Sequence, residues 1–350
     1  MSIWRWSENR DALLESHRLT LGEGGTALIR SRTLGPQAGI ENLWFKLETG
    51  NPSGSYKDRF AASAVSHMQA ENQHTCVATS SGNTGAALAA YCAAAGIRCR
   101  IAVVEGAPVA KLQQMQAYGA DVFRVKGFGL EPEITAKTFE RLQDLGSGVG
   151  HAVQISAYHY SPKGMAGVES ISFELNAQLD GGLDHVFSPA GGGGLTLAVA
   201  RGFAKCDVRA AVHCVQPEGN NTIAGRLREG AAIAQATDCT SQISGLQVAS
   251  VIDGNEVIQE CRPTGGTGHL VSDEEVWRWQ RSMAREEGIF CEPAGAVALA
   301  GALQAIANGE IAKDANIVCL VTGSGFKDIA SVERMNADVD CPAIEWSSIV

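Results

Sequence analysis

The residues from Thr75 to about Ile155 alternate between short β-rich runs and helical segments, and this alternation constrains the fold more than any other feature of the chain. The predicted strands are Thr75–Thr79, Arg100–Val104, Val122–Val125 and Ala152–Ile155, and the predicted helices between them are Thr84–Ala95, Val109–Tyr118 and Pro132–Leu145. Because strands joined through helices pair in parallel by right-handed crossovers, the pattern predicts a doubly wound sheet.

A second set of elements follows the same logic. The predicted elements are helix Lys163–Leu179, strand His185–Ser188, helix Leu195–Ala204, strand Arg209–Val215, helices Asp273–Glu287 and Ala294–Ala307, and strand Ile317–Val321. Ser272 and Glu275 have capping-box spacing at the start of Asp273–Glu287. The sequence therefore predicts an α/β fold of two doubly wound, mainly parallel sheet domains, whereas residues 237–268 give no clear prediction.

Composition limits the classes of protein to consider. A length of 350 residues corresponds to about two domains. The longest apolar runs, such as Ile317–Val321, are strand-length, and the N-terminal residues lack a signal-peptide pattern, so we expect no membrane partner and a cytoplasmic location. A net charge of −10 without any Lys/Arg run predicts no nucleic-acid partner. Ten cysteines without CxxC or HExxH spacing predict buried, reduced thiols and no metal.

The sharpest motif is a run of four glycines between a predicted strand and a predicted helix. Gly191, Gly192, Gly193 and Gly194 follow Pro189-Ala190 and precede Leu195. Such a turn can direct several backbone N–H groups at one point, where the helix N-terminus adds partial positive charge. No Lys-Ser/Thr follows and Thr196 replaces the last glycine of GxGxxG, so the motif predicts a phosphate site that is neither a P-loop nor a dinucleotide fingerprint.

Two further strands end in polar, glycine-containing loops. The first loop is Ser80–Gly85, whose hydroxyls and amides suit a carboxylate, although the same residues are also ordinary helix caps. The second is Thr322–Gly325, directly after Ile317–Val321. Because ligands bind at the carboxyl edge of open parallel sheets, three such ends together indicate a binding site.

Lys57 stands in the first turn of a helix that is predicted after Asn51–Tyr56. A cation at a helix N-terminus opposes the helix dipole, which favours the neutral amine, the form that attacks carbonyl carbons. A phosphate cradle, a carboxylate cradle and such an amine together predict pyridoxal phosphate as cofactor, with Lys57 as the catalytic residue.

The same residues resemble the fold-type II pyridoxal-phosphate enzymes, and threonine synthases most closely. The similar motifs are Leu21–Thr26, the lysine motif Asn51–Arg59 with Tyr56 in place of Phe, the loop Ser81–Thr84, and the segments Ala284–Pro293 and Thr322–Asp328. The resemblance implies a smaller domain at 60–155 and a larger cofactor-binding domain formed by 1–59 and 156–350. It also implies a homodimer.

The resemblance implies a role for each motif. Lys57, Asn83, Thr322 and the glycines 191–194 hold the cofactor, with Asn83 at its ring hydroxyl and Thr322 at its pyridine nitrogen. An amino-acid substrate is the expected small-molecule partner. The implied substrate-binding residues are Ser81, Gly82, Asn83, Thr84, Ser156 and Lys163.

Two departures from the threonine synthase pattern leave the reaction open. Glycines 191–194 and Glu292–Ala296 resemble threonine and serine ammonia-lyases, and Ser161 stands where threonine synthases carry an Arg for the substrate phosphate. Lys163 or Arg59 is then expected to supply the positive charge. The prediction is a pyridoxal-phosphate lyase that converts O-phosphohomoserine and water to threonine and phosphate. The alternative is a hydroxy-amino-acid ammonia-lyase or a β-replacement enzyme.

Overall fold

The strands of the protein form two separate sheets. The computed structural model describes residues 2–9, 13–80, 82–107, 109–180 and 182–349. The strands in these residues are β1 (Leu28–Arg30), β2 (Leu43–Leu47), β3 (Thr75–Thr79), β4 (Arg98–Val103), β5 (Asp121–Arg124), β6 (His151–Val153), β7 (His185–Pro189), β8 (Ala211–Pro217), β9 (Gly268–Val271) and β10 (Ile317–Val321). Their order is β1-β2-β10-β7-β8-β9 in one sheet and β5-β4-β3-β6 in the other.

Helices connect and cover these strands. They are α1 (Leu34–Gln37), α2 (Lys57–Ala70), α3 (Asn83–Ala95), α4 (Val109–Ala117), α5 (Pro132–Gly146), α6 (Pro162–Ala166), α7 (Ser170–Gln178), α8 (Gly194–Lys205), α9 (Ala224–Arg228), α10 (Gly254–Cys261), α11 (Asp273–Glu286), α12 (Pro293–Ala307) and α13 (Ile329–Met335). None of the helices in the described ranges has the length and apolarity that a membrane crossing requires.

Parallel pairing dominates both sheets, which confirms the predicted fold class. Only the pair β1–β2 among the described strands is antiparallel. Every residue of β10 is buried, as expected for a central parallel strand that is covered on both faces. β10 lies between β2 and β7, so Val318 pairs with Trp44 on one side and with Val186 on the other.

The three predicted loops all follow the carboxyl ends of strands. The glycine loop, defined as residues 191–194, comes after β7, and Thr322 comes after β10. Because β7 and β10 are neighbours, these two loops lie side by side at one edge of the larger sheet. The loop after β3 reaches them from the other sheet through the contacts described below.

The structure corrects one predicted helix and organises the unassigned segment. The expected helix Lys163–Leu179 is two helices, α6 and α7, which are separated by a turn at residues 167–169. A Cβ atom on Gly167 would lie 2.2 Å from the carbonyl oxygen of Arg59, so the chain turns where it packs against the backbone of α2. Residues 237–268 form an irregular stretch followed by α10 and the start of β9.

Three imidazoles form a line across neighbouring strands of the larger sheet, with His213 and His269 buried and His185 half-buried. Nδ1 of His185 lies 3.0 Å from Nε2 of His213, and Nδ1 of His213 lies 3.1 Å from Nε2 of His269. The ring of His213 also stacks on Phe187, with 4.4 Å between centroids. Burial lowers the pKa of all three, to about 3 for His213 and to about 4 for His269.

We expect this line of histidines to make the protein sensitive to acid. In the unfolded chain these three imidazoles bind protons near pH 6.5, whereas in the folded chain they stay neutral. Their contribution to the free energy of unfolding is therefore complete above that pH and is lost as the pH falls toward 4. Each imidazole contributes a slope of up to about 1.4 kcal/mol per pH unit. Urea unfolding of His213→Gln between pH 7 and 5 should show a shallower pH dependence than wild type. An identical pH dependence in the variant and in wild type would contradict the assignment of this acid sensitivity to the histidines.

Candidate active site

Lys57 is the first residue of α2, and its amine lies within a small cluster of hydroxyl groups. Its Nζ donates to Oγ of Ser156 at 2.6 Å, and Oγ of Ser156 lies 2.8 Å from Oγ1 of Thr84. The same Nζ lies 4.5 Å from the ring centroid of Tyr56. The amine, the segment after β6 and the start of α3 therefore meet at one point, which brings together Lys57, Ser156 and Thr84, three of the residues predicted for the site.

The surroundings of Lys57 favour the neutral amine. Burial lowers the pKa of Lys57 to about 8, although the negative charges of Asp253 and Glu292 act in the opposite direction. A substantial fraction of the amine is therefore unprotonated at slightly alkaline pH, which an ordinary lysine with a pKa near ~10.4 does not achieve. A neutral, positioned amine can act as a nucleophile or as a general base.

The glycine loop presents backbone donors at the start of α8. Within the described residues, the N–H groups of Gly191, Gly192 and Gly193 have no protein acceptor. Gly193 has a φ of +98°, and a Cβ there would lie 2.8 Å from Val257, so this position requires glycine. Unpaired amides at a helix N-terminus form an anion-binding site.

Asp253 ties the glycine loop to the segment that carries Ser156. Its carboxylate accepts from the backbone N–H groups of Tyr158 and His159 at 2.8 and 3.0 Å, and its own N–H donates to the carbonyl of Gly192 at 3.0 Å. Burial raises the pKa of Asp253. Asp253 belongs to the segment that the sequence left unassigned, and no local motif marks it.

Glu292 connects the loop after β3 to the loop after β10. Its Oε1 accepts from Nδ2 of Asn83 at 2.7 Å, and its backbone N–H donates to the carbonyl of Gly323 at 3.0 Å. A Cβ on Gly323 would lie 2.2 Å from the same Oε1, so only glycine leaves space for this carboxyl group. Burial raises the pKa of Glu292 to about 7. Sequence analysis noted Glu292 within a motif but assigned it no site role.

Thr322 follows β10 at the same edge of the sheet. It is buried, and its Oγ1 has no hydrogen-bond partner among the described residues. Its carbonyl accepts from the N–H of Tyr56 at 3.0 Å, which fixes Thr322 beside the start of α2. A buried, unpartnered hydroxyl is costly unless a ligand supplies the missing partner.

Two other predicted residues do not join the cluster. The amine of Lys163 is largely exposed and pairs with Glu71, because α6 directs it away from Ser156. Arg59 is fully buried and bound to Glu48 and Glu174, so neither cation is available to a substrate phosphate. Gly82 caps α3 beside Asn83, and Ser81 lies outside the described residues.

Comparison with known proteins identifies the family. Residues 19–323 match the family described as pyridoxal-phosphate dependent enzymes. The chain belongs to this family. It is 31% identical over 338 residues to a threonine synthase of Methanocaldococcus jannaschii, covering 94% of this chain and 81% of the relative. It is also 31% identical over 339 residues to a threonine synthase of Halalkalibacterium halodurans, covering 94% and 91%.

A solved structure shows the same fold. The processed form of threonine deaminase isoform 2 from Solanum lycopersicum matches with a TM-score of 0.77 and 22% identity, covering 97% of this chain and 94% of that one. The family match gives pyridoxal phosphate as the cofactor, and the residues present fit it. The free amides of the glycine loop suit a phosphate, the unpartnered hydroxyl of Thr322 suits a ring nitrogen, and the amine of Lys57 suits an aldehyde.

A Glu292→Gln variant should lower the pKa of Lys57 below its wild-type value of about 8. The charge of Glu292 raises that pKa, and glutamine removes the charge while its amide oxygen still accepts from Asn83. The pH dependence of pyridoxal phosphate uptake by the apo-protein reports the amine's titration. Glu71→Gln, at an exposed carboxylate, serves as control. An unchanged profile for Glu292→Gln would contradict the electrostatic coupling.

Proposed function

We propose that this protein is a threonine synthase, a carbon–oxygen lyase that converts O-phosphohomoserine and water to threonine and phosphate. The observation that carries the proposal is the pair of threonine synthases that are 31% identical along nearly the whole chain. The lysine motif Asn51–Arg59 and the segment Thr322–Asp328, which resemble that group, meet next to Lys57 through the hydrogen bond from the Tyr56 N–H to the Thr322 carbonyl.

In this proposal Lys57 moves the proton of the substrate's α-carbon. Bound pyridoxal phosphate supplies an electron-withdrawing ring that acidifies this C–H bond. The pKa of Lys57 near 8 makes its Nζ a base at neutral to slightly alkaline pH, and Oγ of Ser156 at 2.6 Å orients that nitrogen. Thr84 in turn holds the hydroxyl of Ser156.

The start of α3 binds the substrate's carboxylate in this proposal. Gly82, Asn83 and Thr84 form the helix N-terminus, where backbone N–H groups and the helix dipole favour an anion. Because Asn83 Nδ2 is bound to Glu292, this loop has a fixed orientation toward the larger sheet. Ser81, which precedes Gly82 in the sequence, is the remaining residue that we assign to this loop.

The same proposal assigns the residues that hold the cofactor. The amides of glycines 191–194 bind its phosphate at the start of α8, and Thr322 Oγ1 bonds its ring nitrogen. Asn83 contacts its ring hydroxyl. Since threonine is not a carboxylic acid, Thr322 leaves the ring nitrogen free of a compensating negative charge, which limits how strongly that nitrogen is protonated.

An ammonia-lyase acting on threonine or serine is the second candidate. The observation that favours it is the position of Lys163, whose pairing with Glu71 removes a cation that the substrate phosphate requires. Ser161, in the place of the expected Arg, points to the same alternative. Its Oγ accepts from the backbone N–H of Ile155 at 3.1 Å.

A two-substrate assay distinguishes the candidates. The holoenzyme is incubated separately with O-phospho-L-homoserine and with L-threonine, and phosphate, threonine and 2-oxobutyrate are measured. We expect phosphate and threonine to form in equal amounts, at a rate well above that of 2-oxobutyrate formation. Formation of 2-oxobutyrate from threonine without phosphate release from O-phosphohomoserine would overturn the proposal and support the ammonia-lyase.

The resemblance also supports three organisational proposals. We propose a smaller domain at 60–155 against a larger domain of 1–59 and 156–350, a homodimer, and a cytoplasmic location. Sedimentation equilibrium of the holoenzyme tests the dimer, since the mass of the chain is 36.7 kDa.

A further inference from the structure

Three cysteines converge in the core of the smaller sheet, away from the amine cluster. Cys76 lies on β3, Cys99 is its direct neighbour on β4, and Cys92 lies near the end of α3. Their Sγ atoms all lie within 4.8 Å of one another. All three are free thiols, and their exposures are 0%, 6% and 0% for Cys76, Cys99 and Cys92. We call these residues the thiol cluster.

The geometry of the thiol cluster suits a three-coordinate ion. Bonds of about 2.3 Å from three sulfur atoms to a pyramidal or planar three-coordinate ion place the sulfur atoms about 3.5–4 Å apart. Two of the thiols are on paired strands and the third is on the helix that packs over them, so small side-chain rotations bring the sulfurs to this distance. Soft thiolate ligands select soft ions.

Charge decides which soft ion fits best. The thiol cluster is buried, and the carboxylate of Asp121 adds negative charge beside Cys99. A complex with net charge is costly in such a buried place. Three thiolates around a trivalent centre give a neutral complex, whereas a monovalent or divalent ion with three thiolates leaves negative charge in the core.

We propose that Cys76, Cys92 and Cys99 form a binding site for a trivalent thiophilic ion such as arsenic(III). Arsenite, As(OH)₃, exchanges its three As–O bonds for three As–S bonds, and each thiol proton leaves in one of three water molecules. The oxidation state of arsenic does not change, so the step needs no oxidant or reductant. The structure shows these three thiols free and buried, as the sequence predicted, and the proposal adds a ligand to them.

An ion can reach the thiol cluster from one edge of the smaller sheet. Cys76 and Cys99 are each the second residue of their strands, so the thiol cluster lies toward the amino edge, opposite the loops that carry Asn83 and Thr322. Cys99 is the member with exposed surface. An incoming ion therefore meets Cys99 first, and Cys76 and Cys92 complete the site.

Mass spectrometry of the intact protein tests the proposal. The holoenzyme is treated with arsenite in the presence of excess glutathione, which removes arsenic from single exposed thiols. We expect a mass increase of one arsenic atom less three hydrogen atoms in wild type and in the control Cys319→Ala, and its loss in Cys92→Ala. No adduct in wild type, or the same adduct in a folded Cys92→Ala, would overturn the proposal.

A second measurement needs no substitution and therefore does not depend on the variant's folding. The arsenic K-edge X-ray absorption spectrum of the wild-type adduct counts the neighbours of the bound atom. Three sulfur neighbours are expected. Two or fewer sulfurs, or a remaining oxygen, would contradict a three-thiolate site. Neither measurement depends on turnover, so its outcome is separate from that of the proposed function.

Discussion

Replacing Lys57 with alanine should lower kcat by about 10³-fold or more, because a positioned general base contributes rate factors of this size. The variant removes the only amine that bonds to Ser156 in the described residues and leaves the rest of the cluster in place. The purified variant should also lack the visible absorption band of the wild-type holoenzyme. Steady-state kinetics and an absorption spectrum at matched protein concentration provide the measurement.

Lys163→Ala is the matched control for that experiment. Lys163 was predicted to bind substrate, but its amine pairs with Glu71 on the surface, so its removal should leave kcat within about twofold of wild type. A Lys57→Ala protein that retains its colour and turns over within tenfold of wild type would contradict the assigned role of Lys57. A large loss in Lys163→Ala would show that α6 contributes to the site.

The second large effect concerns stability. Replacing Arg59 with methionine should lower the free energy of unfolding by about 3–5 kcal/mol, since it leaves buried carboxylates without their partner. The guanidinium of Arg59 donates to Glu48 at 2.7 and 2.8 Å and to Glu174 at 2.6 and 2.8 Å, and Lys46 donates to Glu174 at 2.7 Å. Although burial opposes ionisation, Arg59 and Lys46 hold the pKa of Glu174 at about 2.

Urea unfolding at pH 7 measures this effect. Arg98→Met is a suitable control, because the ion pair of Arg98 with Asp121 is exposed and its loss should cost less than about 1 kcal/mol. Arg59→Lys should be intermediate, because lysine keeps the charge but cannot bind two carboxylates through a planar fork. A loss below 1 kcal/mol for Arg59→Met would show that the network does not stabilise the start of α2.

The features that the sequence predicted well are local in the chain. The strand–glycine–helix unit at β7, residues 191–194 and α8 needs only neighbouring residues, as does Lys57 at the first turn of α2. The predicted cap of α11 is also confirmed, because Ser272 Oγ accepts from the N–H of Glu275 at 3.2 Å. In each case hydrogen bonds and backbone conformation within a few residues determine the local structure.

The features that the sequence missed depend on distant contacts. Glu292 and Asn83 are 209 positions apart, so nothing near either residue predicts their hydrogen bond. Asp253 lies in an irregular segment, and its contacts with Tyr158 and His159 span about 95 positions. The outward direction of Lys163 follows from the packing of α6 on α2, which a linear placement of motifs does not contain.

We propose that the amine of Lys57 holds the cofactor of this enzyme. Treating the holoenzyme with borohydride, digesting it and sequencing the peptides by mass spectrometry locates the attached cofactor at a single residue. The account predicts a phosphopyridoxyl group on Nζ of Lys57. Attachment at any other lysine, or an unmodified Lys57 peptide in fully reduced holoenzyme, would contradict it.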